Sequence, residues 1–241
     1  VYLKRVSYLK NQVLDSSNYP FNIPWVENFE SLDFRSNVTF FVGENGTGKS
    51  TLLEAIADKC EFNVAGGSRN NLFEVAKAES VLGDYIRLSW SPKVNRGFFL
   101  RAETFYHFAS YIDALEDPNK YAAYGGKSLH HQSHGESYLS LFMNSFGGKA
   151  IYLLDEPEAA LSPLRQLSLM KIIKDLENES QFIIATHSPI LLGYPNATIY
   201  NFDHAKIEMI RYEETMHYIL TKRFIEAPEL VLKELFRDDE D

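Results

Sequence analysis

With 241 residues, 45% of them hydrophobic, the chain has enough apolar sequence for one large α/β domain with a proper core. Its 24 lysines and arginines stand against 33 acidic residues, and the net charge of -9 supplies no general attraction to nucleic acid or anionic lipid. The single cysteine, Cys60, excludes an internal disulfide framework and fits a reducing compartment, where it reads as a buried, inert thiol. No apolar stretch approaches the length that spans a bilayer. Val1-Tyr2-Leu3-Lys4-Arg5 lacks the apolar block of a signal peptide, so a cytoplasmic chain is expected. The acidic end Asp238-Asp239-Glu240-Asp241 reads as a frayed, solvated tail.

In chain order, Tyr2 to Val6 reads as a first strand, and Tyr19-Pro20-Phe21-Asn22-Ile23-Pro24-Trp25 as a loop with three aromatics. Those aromatics could stack on a base or cap the core edge. Val38-Thr39-Phe40-Phe41-Val42 is a β-branched and aromatic run, followed by Gly43-Glu44-Asn45-Gly46-Thr47-Gly48-Lys49-Ser50-Thr51 and the helical Leu52 to Asp58. Strand, glycine loop and helix form the context of a phosphate-binding P-loop. Glycine tolerates the backbone angles that turn N–H groups toward an anion, and the following helix adds the positive end of its dipole. Lys49 is expected to reach the β- and γ-phosphates and Ser50 to ligate Mg²⁺.

Beyond the loop Val64 to Asn71, the runs Tyr85 to Trp90 and Gly97 to Leu100 predict a hairpin across Ser91 to Arg96, and thus an antiparallel patch. Thr104 to Leu115 has helical spacing with Thr104 as its cap, and Glu136 to Phe146 is helical again. Ala150 to Leu154 and Gln181 to Ala185 are continuous apolar runs, as buried parallel strands require, with the amphipathic helix Leu164 to Leu176 between them. Thr198 to Phe202 and Lys206 to Ile210 predict a closing hairpin, and Glu213 to Phe236 is helical with a break near Pro228. Alternating strands and helices predict a mostly parallel sheet.

Asp155-Glu156 closes the strand Ile151 to Leu154, so both carboxylates emerge at its C-terminal end, where open α/β sheets bind ligands. An aspartate there can hold Mg²⁺, and a glutamate directly after it can orient or deprotonate an attacking water. Thr186-His187-Ser188 follows the second buried strand, so His187 is expected at the same edge, sensing a γ-phosphate. Gln132-Ser133-His134-Gly135-Glu136-Ser137 precedes a helix and offers a second anion-binding surface. His130, His131 and His134 could instead bind a metal, but no thiol or second ligand group accompanies them.

The order of P-loop, Ser-x-Gly-Glu, apolar strand with Asp-Glu and then Thr-His-Ser resembles the ABC-type P-loop ATPases across nearly the whole chain. The resemblance implies an ABC ATPase-like α/β fold, a single domain over 1–241 with a helical subdomain at about 101–148. It makes Gly43 to Ser50 the Walker A loop, Ser133 to Glu136 the signature, Asp155 and Glu156 the Walker B pair, His187 the switch histidine and Ala159-Ala160-Leu161-Ser162 the loop between subunits. It also implies ATP and Mg²⁺ as ligands and a head-to-tail homodimer, in which the signature of one copy covers ATP held by the other.

The chain departs from the pattern where His134 replaces the first signature glycine, Glu136 stands at a position of glutamine in most transporters and Ser162 replaces an aspartate. Glu103 is the nearest candidate for the glutamine that contacts Mg²⁺ and water. The stretch Asp155 to Pro163 is more similar to stand-alone bacterial AAA/ABC-like ATPases and overcoming-lysogenization-defect nuclease heads than to transporter subunits. Between Lys49 and Ser133 there is room for a short arm but not for the long coiled coil of chromosome-maintenance ATPases, and the C-terminal remainder is too small for a nuclease domain. The expectation is therefore an ATPase head, with Lys49, Glu156 and His187 catalytic. The competing readings are a nucleotide-gated switch without hydrolysis and a transporter subunit that needs a membrane partner. A role on DNA rests on the family likeness alone.

Overall fold

Val38 to Val42 carries bulky side chains on both faces, and only a strand covered on both sides can bury them all. The computed structural model, which describes residues 1–13, 15–62, 81–102, 105–116, 120–121, 126, 128 and 134–236 without the side chains of Tyr106, His107 and His134, places this strand inside a six-stranded sheet. The strands are β1 (Leu3–Tyr8), β2 (Ser31–Asp33), β3 (Val38–Val42), β4 (Ile86–Trp90), β5 (Gly97–Arg101), β6 (Ala150–Asp155), β7 (Ser180–Ala185), β8 (Thr198–Asn201) and β9 (Glu208–Ile210). The larger sheet runs β5-β6-β7-β3-β8-β9, parallel except for β9, which returns antiparallel to β8 as the predicted closing hairpin.

The strand side chains alternate between two cores. Phe41, Ile151, Leu153, Ile183 and Ala185 face α1 (Pro24–Glu27), α2 (Lys49–Lys59) and the aromatic segment around Trp25. Val38, Phe40, Val42, Tyr152, Leu154, Phe182 and Ile184 face the other side. Packed there are α4 (Phe105–Ala114), α5 (His134–Ser145), α6 (Pro163–Leu176) and α7 (Pro189–Leu192); α3 (Val81–Asp84) lies against α2. Full burial of a side chain such as Phe40 or Phe41 is worth roughly 1.5–3 kcal/mol, so the strand that carries the P-loop is anchored from both faces.

A three-stranded antiparallel sheet, β2-β1-β4, lies beside the first core. It supplies the predicted antiparallel patch, but the predicted hairpin between Tyr85 to Trp90 and Gly97 to Leu100 does not form. β4 pairs with β1, while β5 joins the large sheet parallel to β6. The reason is burial. Phe98, Phe99 and Leu100 are buried on both faces, which suits a parallel sheet, whereas β4 buries only Ile86 and leaves its other residues at least partly exposed. The two sheets are tied by Gln181, fully buried on β7. Its Oε1 accepts from the N–H groups of Tyr2 and Leu3 at 2.8 Å each, and its Nε2 donates to the Leu3 carbonyl at 3.1 Å.

The chain ends in α8 (Met216–Glu226) and α9 (Pro228–Leu235), with the predicted break at Pro228. Among the described residues no helix is long and apolar enough to cross a membrane. The loop Val64 to Asn71, the cap Thr104, Glu103, His130, His131 and Ser133 lie outside the described residues.

Candidate active site

The P-loop follows from β3 as a tight turn. Gly43, Gly46 and Gly48 have φ of 143°, 80° and 90°, and α2 starts at Lys49 directly after Gly48. Gly48 also has no room for a side chain: a Cβ would lie 2.9 Å from the Trp25 indole nitrogen. That nitrogen donates to the Thr47 carbonyl at 2.7 Å, so Trp25 sits in the core and braces the loop from below. The far side is held by Asp203, whose Oδ1 accepts from the Glu44 N–H at 2.6 Å. Lys49 is buried and donates to the carbonyls of Gly43 at 2.7 Å and Glu44 at 2.9 Å. Burial lowers its pKa, against the opposing pull of Glu156, Asp155, Asp203 and Glu44. An ammonium that donates to loop carbonyls, at the head of a helix, can exchange them for anionic oxygens.

Ser50 and Asp155 come together although they are far apart in sequence. The Ser50 hydroxyl donates to Asp155 Oδ1 at 2.9 Å. Asp155 ends β6 in register with Arg101 on β5 and Ala185 on β7, so it belongs to the carboxyl edge of the sheet. Burial pushes its carboxyl up to about 6, although Arg101 (Nε 3.6 Å from Oδ2) and the Ser50 hydroxyl pull it down. Arg101 also bridges to Glu54 on α2, with Nη1 2.6 Å from Oε1. Glu156 is in the left-handed region at φ 50° and donates its N–H to the Ala185 carbonyl at 2.9 Å. A non-glycine residue held there stores strain of order 1 kcal/mol or more, and the β6–β7 pairing keeps it in place.

His187 follows β7, and its Nε2 lies 3.6 Å from Glu156 Oε1. Its N–H donates to Glu158 Oε1 at 2.6 Å, and its Nδ1 is 3.0 Å from Nε2 of His217 on α8. Burial lowers the His187 pKa, with Lys49 and His217 adding to the effect. Burial likewise raises that of Glu158, while the bond from His187 N–H works against it.

A cavity of about 260 Å³ opens over the loop, lined by Tyr19, Asn45, Lys49, Thr51, Arg101 and Glu156 among others. Of the three early aromatics, Phe21 and Trp25 are buried in the core, whereas Tyr19 is exposed on the cavity wall with its hydroxyl 2.7 Å from Thr51 Oγ1. Gly135 and Glu136 do not line this cavity. They lie in the first turn of α5, against α6. Glu136 Oε1 accepts from Arg165 at 3.3 Å, and a Cβ on Gly135 would lie 2.3 Å from the Arg165 guanidinium.

Known proteins share the sequence pattern and the fold. A family model described as "AAA domain, putative AbiEii toxin, Type IV TA system" matches residues 103–193, and one described as "AAA domain" matches residues 21–88. The chain is 30% identical over 189 residues to the ribose import ATP-binding protein RbsA of Caldanaerobacter subterraneus subsp. tengcongensis, a match that covers 68% of the chain. It spans only 36% of that relative's length. A solved ATP-binding cassette of an ABC transporter superposes with a TM-score of 0.53 at 16% identity, over 96% of this chain and 98% of that one. The chain carries an AAA/ABC-type P-loop ATPase domain.

Arg101, Asp203 and His217 of the ATPase domain's site were not singled out from the sequence, nor was the bracing role of Trp25, which by sequence reads as a base-stacker or a core cap. Trp25 carried a signal, since a tryptophan just upstream of a glycine loop can brace it. Arg101 could have been found as the residue ending the strand beside β6. His217 had no local signal, because only the tertiary fold brings α8 to the end of β7.

Proposed function

We propose that this domain binds Mg²⁺-ATP on Gly43 to Thr51 and hydrolyses it, and that a second copy of the chain completes the site. The observation that carries the reading is the convergence of Lys49, Ser50, Asp155, Glu156 and His187, from three separate stretches of sequence, on one sheet edge.

The Ser50 hydroxyl and the Asp155 carboxylate are hard oxygen donors 2.9 Å apart, and they suit a small divalent cation. Bound there, Mg²⁺ would offset phosphate charge. The chain's own groups do the rest. The loop N–H groups and the head of α2 receive the phosphates, and Lys49 transfers its two hydrogen bonds from loop carbonyls to phosphate oxygens. Glu156, partly exposed at the cavity, accepts the proton of the attacking water. His187 orients that water and the terminal phosphate through Nε2. Tyr19 stacks on the base. Gly135 and Glu136, away from their own P-loop cavity, cover together with Ser133 the nucleotide held by the partner copy.

One observation favours a second reading. The relative is named a ribose import ATP-binding protein, so the domain would serve as a transporter's nucleotide-binding subunit, gripped by a membrane partner between residues 101 and 148. Recovery in membranes with a permease distinguishes that role.

Steady-state phosphate release tests hydrolysis itself. The wild-type chain is expected to turn over ATP with Mg²⁺, and Glu156→Gln to lose about 10²–10⁴-fold in kcat while ATP still binds. Tight ATP binding without phosphate release by the wild type would replace the enzyme with a nucleotide-gated switch. An unchanged rate in Glu156→Gln would remove Glu156 as the base.

A further inference from the structure

His217 stands in the first turn of α8, and its place is set by the residues before it. Thr215, buried, caps the helix by accepting from the Tyr218 N–H at 3.2 Å. Tyr212 donates its hydroxyl hydrogen bond to the Pro189 carbonyl on α7 at 2.8 Å. These contacts fix the start of α8 over the end of β7 and bring His217 Nε2 to 3.0 Å from His187 Nδ1.

Both imidazoles are pushed toward the neutral form. Burial is the largest cause in each; Lys49 adds to it, and Glu44 and Asp203 oppose it at His217. Two neutral rings can share this hydrogen bond in two ways only. If His187 Nδ1 carries the proton, His217 must also be protonated on Nδ1, which is buried and has no hydrogen-bond partner among the described residues. That leaves an orphan N–H donor. It also turns the lone pair of His187 Nε2 toward the Glu156 carboxylate 3.6 Å away. In the other arrangement both rings carry the proton on Nε2. His217 then donates to His187 and keeps an unpaired lone pair on Nδ1, while His187 points its N–H at the Glu156 carboxylate 3.6 Å away, an attraction of opposite partial charges rather than a formed hydrogen bond. Each arrangement leaves one N–H without a hydrogen-bond partner among the described residues, but only the second aims that N–H at a carboxylate, whereas the first sets a lone pair against it.

We propose that His217 is a positioning residue that donates from Nε2 to His187 Nδ1, fixing the ring and tautomer in which His187 directs an N–H at the Glu156 side of the site. The proposal rests on the ATP-hydrolysis reading for its kinetic consequence but not for its structural one. A histidine held by a second hydrogen-bonding group is worth about 10–100-fold when that group is removed, by analogy with outer-shell partners of metal-bound histidines.

Two measurements on the full chain test it. With ¹⁵N-histidine labelling, two-bond ¹H–¹⁵N correlations are expected to show Nε2 protonated and Nδ1 unprotonated for both His187 and His217, assigned by single substitutions. Protonation of both rings on Nδ1 overturns the proposal whether or not the chain hydrolyses ATP. In kinetics, His217→Leu is expected to lower kcat by about 10–100-fold with KM changed less than about 3-fold. His217→Gln, which keeps an N–H donor at this reach, should stay within about 5-fold of wild type. On a His187→Ala background His217→Leu should cost nothing further, since the two act as one unit. A folded His217→Leu protein at wild-type kcat overturns the proposal. If His217→Leu does not fold, the Gln variant and the wild-type tautomers decide. A wild type without turnover refutes hydrolysis, and the tautomer spectrum then decides the pairing alone.

Discussion

Replacing Asp155 by asparagine separates what the buried carboxylate costs the fold from what it contributes to the site. Asparagine keeps the oxygen that accepts from Ser50 and resembles the neutral acid in shape. Asp155 titrates at about 6 in the fold and at the ordinary 3.8 when unfolded, so the folded state holds the proton more tightly. Folding therefore loses stability as pH rises through this window. The cost is absent below 3.8 and fully developed above about 6. The gap between the two values amounts to about 3 kcal/mol at pH 7.5. The side chain is almost fully buried, so solvent screening discounts little of it. In a chain of this size that corresponds to a rise in Tm of roughly 6–12 °C for Asp155→Asn without nucleotide or divalent cation. By the same linkage the advantage shrinks to about 1 kcal/mol at pH 4.5. Thermal unfolding followed by circular dichroism in EDTA, at both pH values, measures it. A variant no more stable than wild type at pH 7.5, or an advantage that persists undiminished at pH 4.5, would refute the reasoning. The same variant is expected to lose Mg²⁺-dependent phosphate release.

Gly48→Ala places a Cβ 2.9 Å from the Trp25 indole nitrogen at φ 90°; a loss of about 1–2 kcal/mol in stability and about tenfold weaker ATP binding are expected by thermal unfolding and calorimetry. Gln181→Leu orphans the buried Leu3 N–H and carbonyl, for roughly 3 kcal/mol, and hydrogen exchange at Leu3 should rise as β1 detaches from the large sheet. Tyr19→Ala should weaken a fluorescent ATP analogue by about 1–3 kcal/mol while Tyr19→Phe holds it, if the ring stacks on the base. Equal loss in both variants would assign the effect to the hydroxyl contact with Thr51.

The P-loop, β6 and β7 were legible because each is a local pattern: glycines at fixed offsets, or an apolar run long enough for a strand and too short for a helix. Asp155 and His187 were placed at one edge by the same logic, since each ends such a run. The failed hairpin has the opposite character. β4 and β5 are neighbours in sequence, but their partners are β1 and β6, and local spacing does not encode that choice. The difference was nonetheless present in the side chains, with Phe98, Phe99 and Leu100 apolar on both faces. The tie through Gln181 was hidden because a glutamine inside an apolar run reads as an irregularity until β1 is seen beside it. His217 was illegible for a deeper reason: a single histidine on an amphipathic helix has many roles, and only α8 folding back over β7 selects one.

The most direct test of the shared-site account is the mass in solution of the Glu156→Gln chain with and without Mg²⁺-ATP, by light scattering. The account predicts a monomer that becomes a dimer only with nucleotide, bringing Gly135 and Glu136 of one copy to the P-loop of the other. A monomer under both conditions would contradict it and leave the first turn of α5 as a packing contact with Arg165.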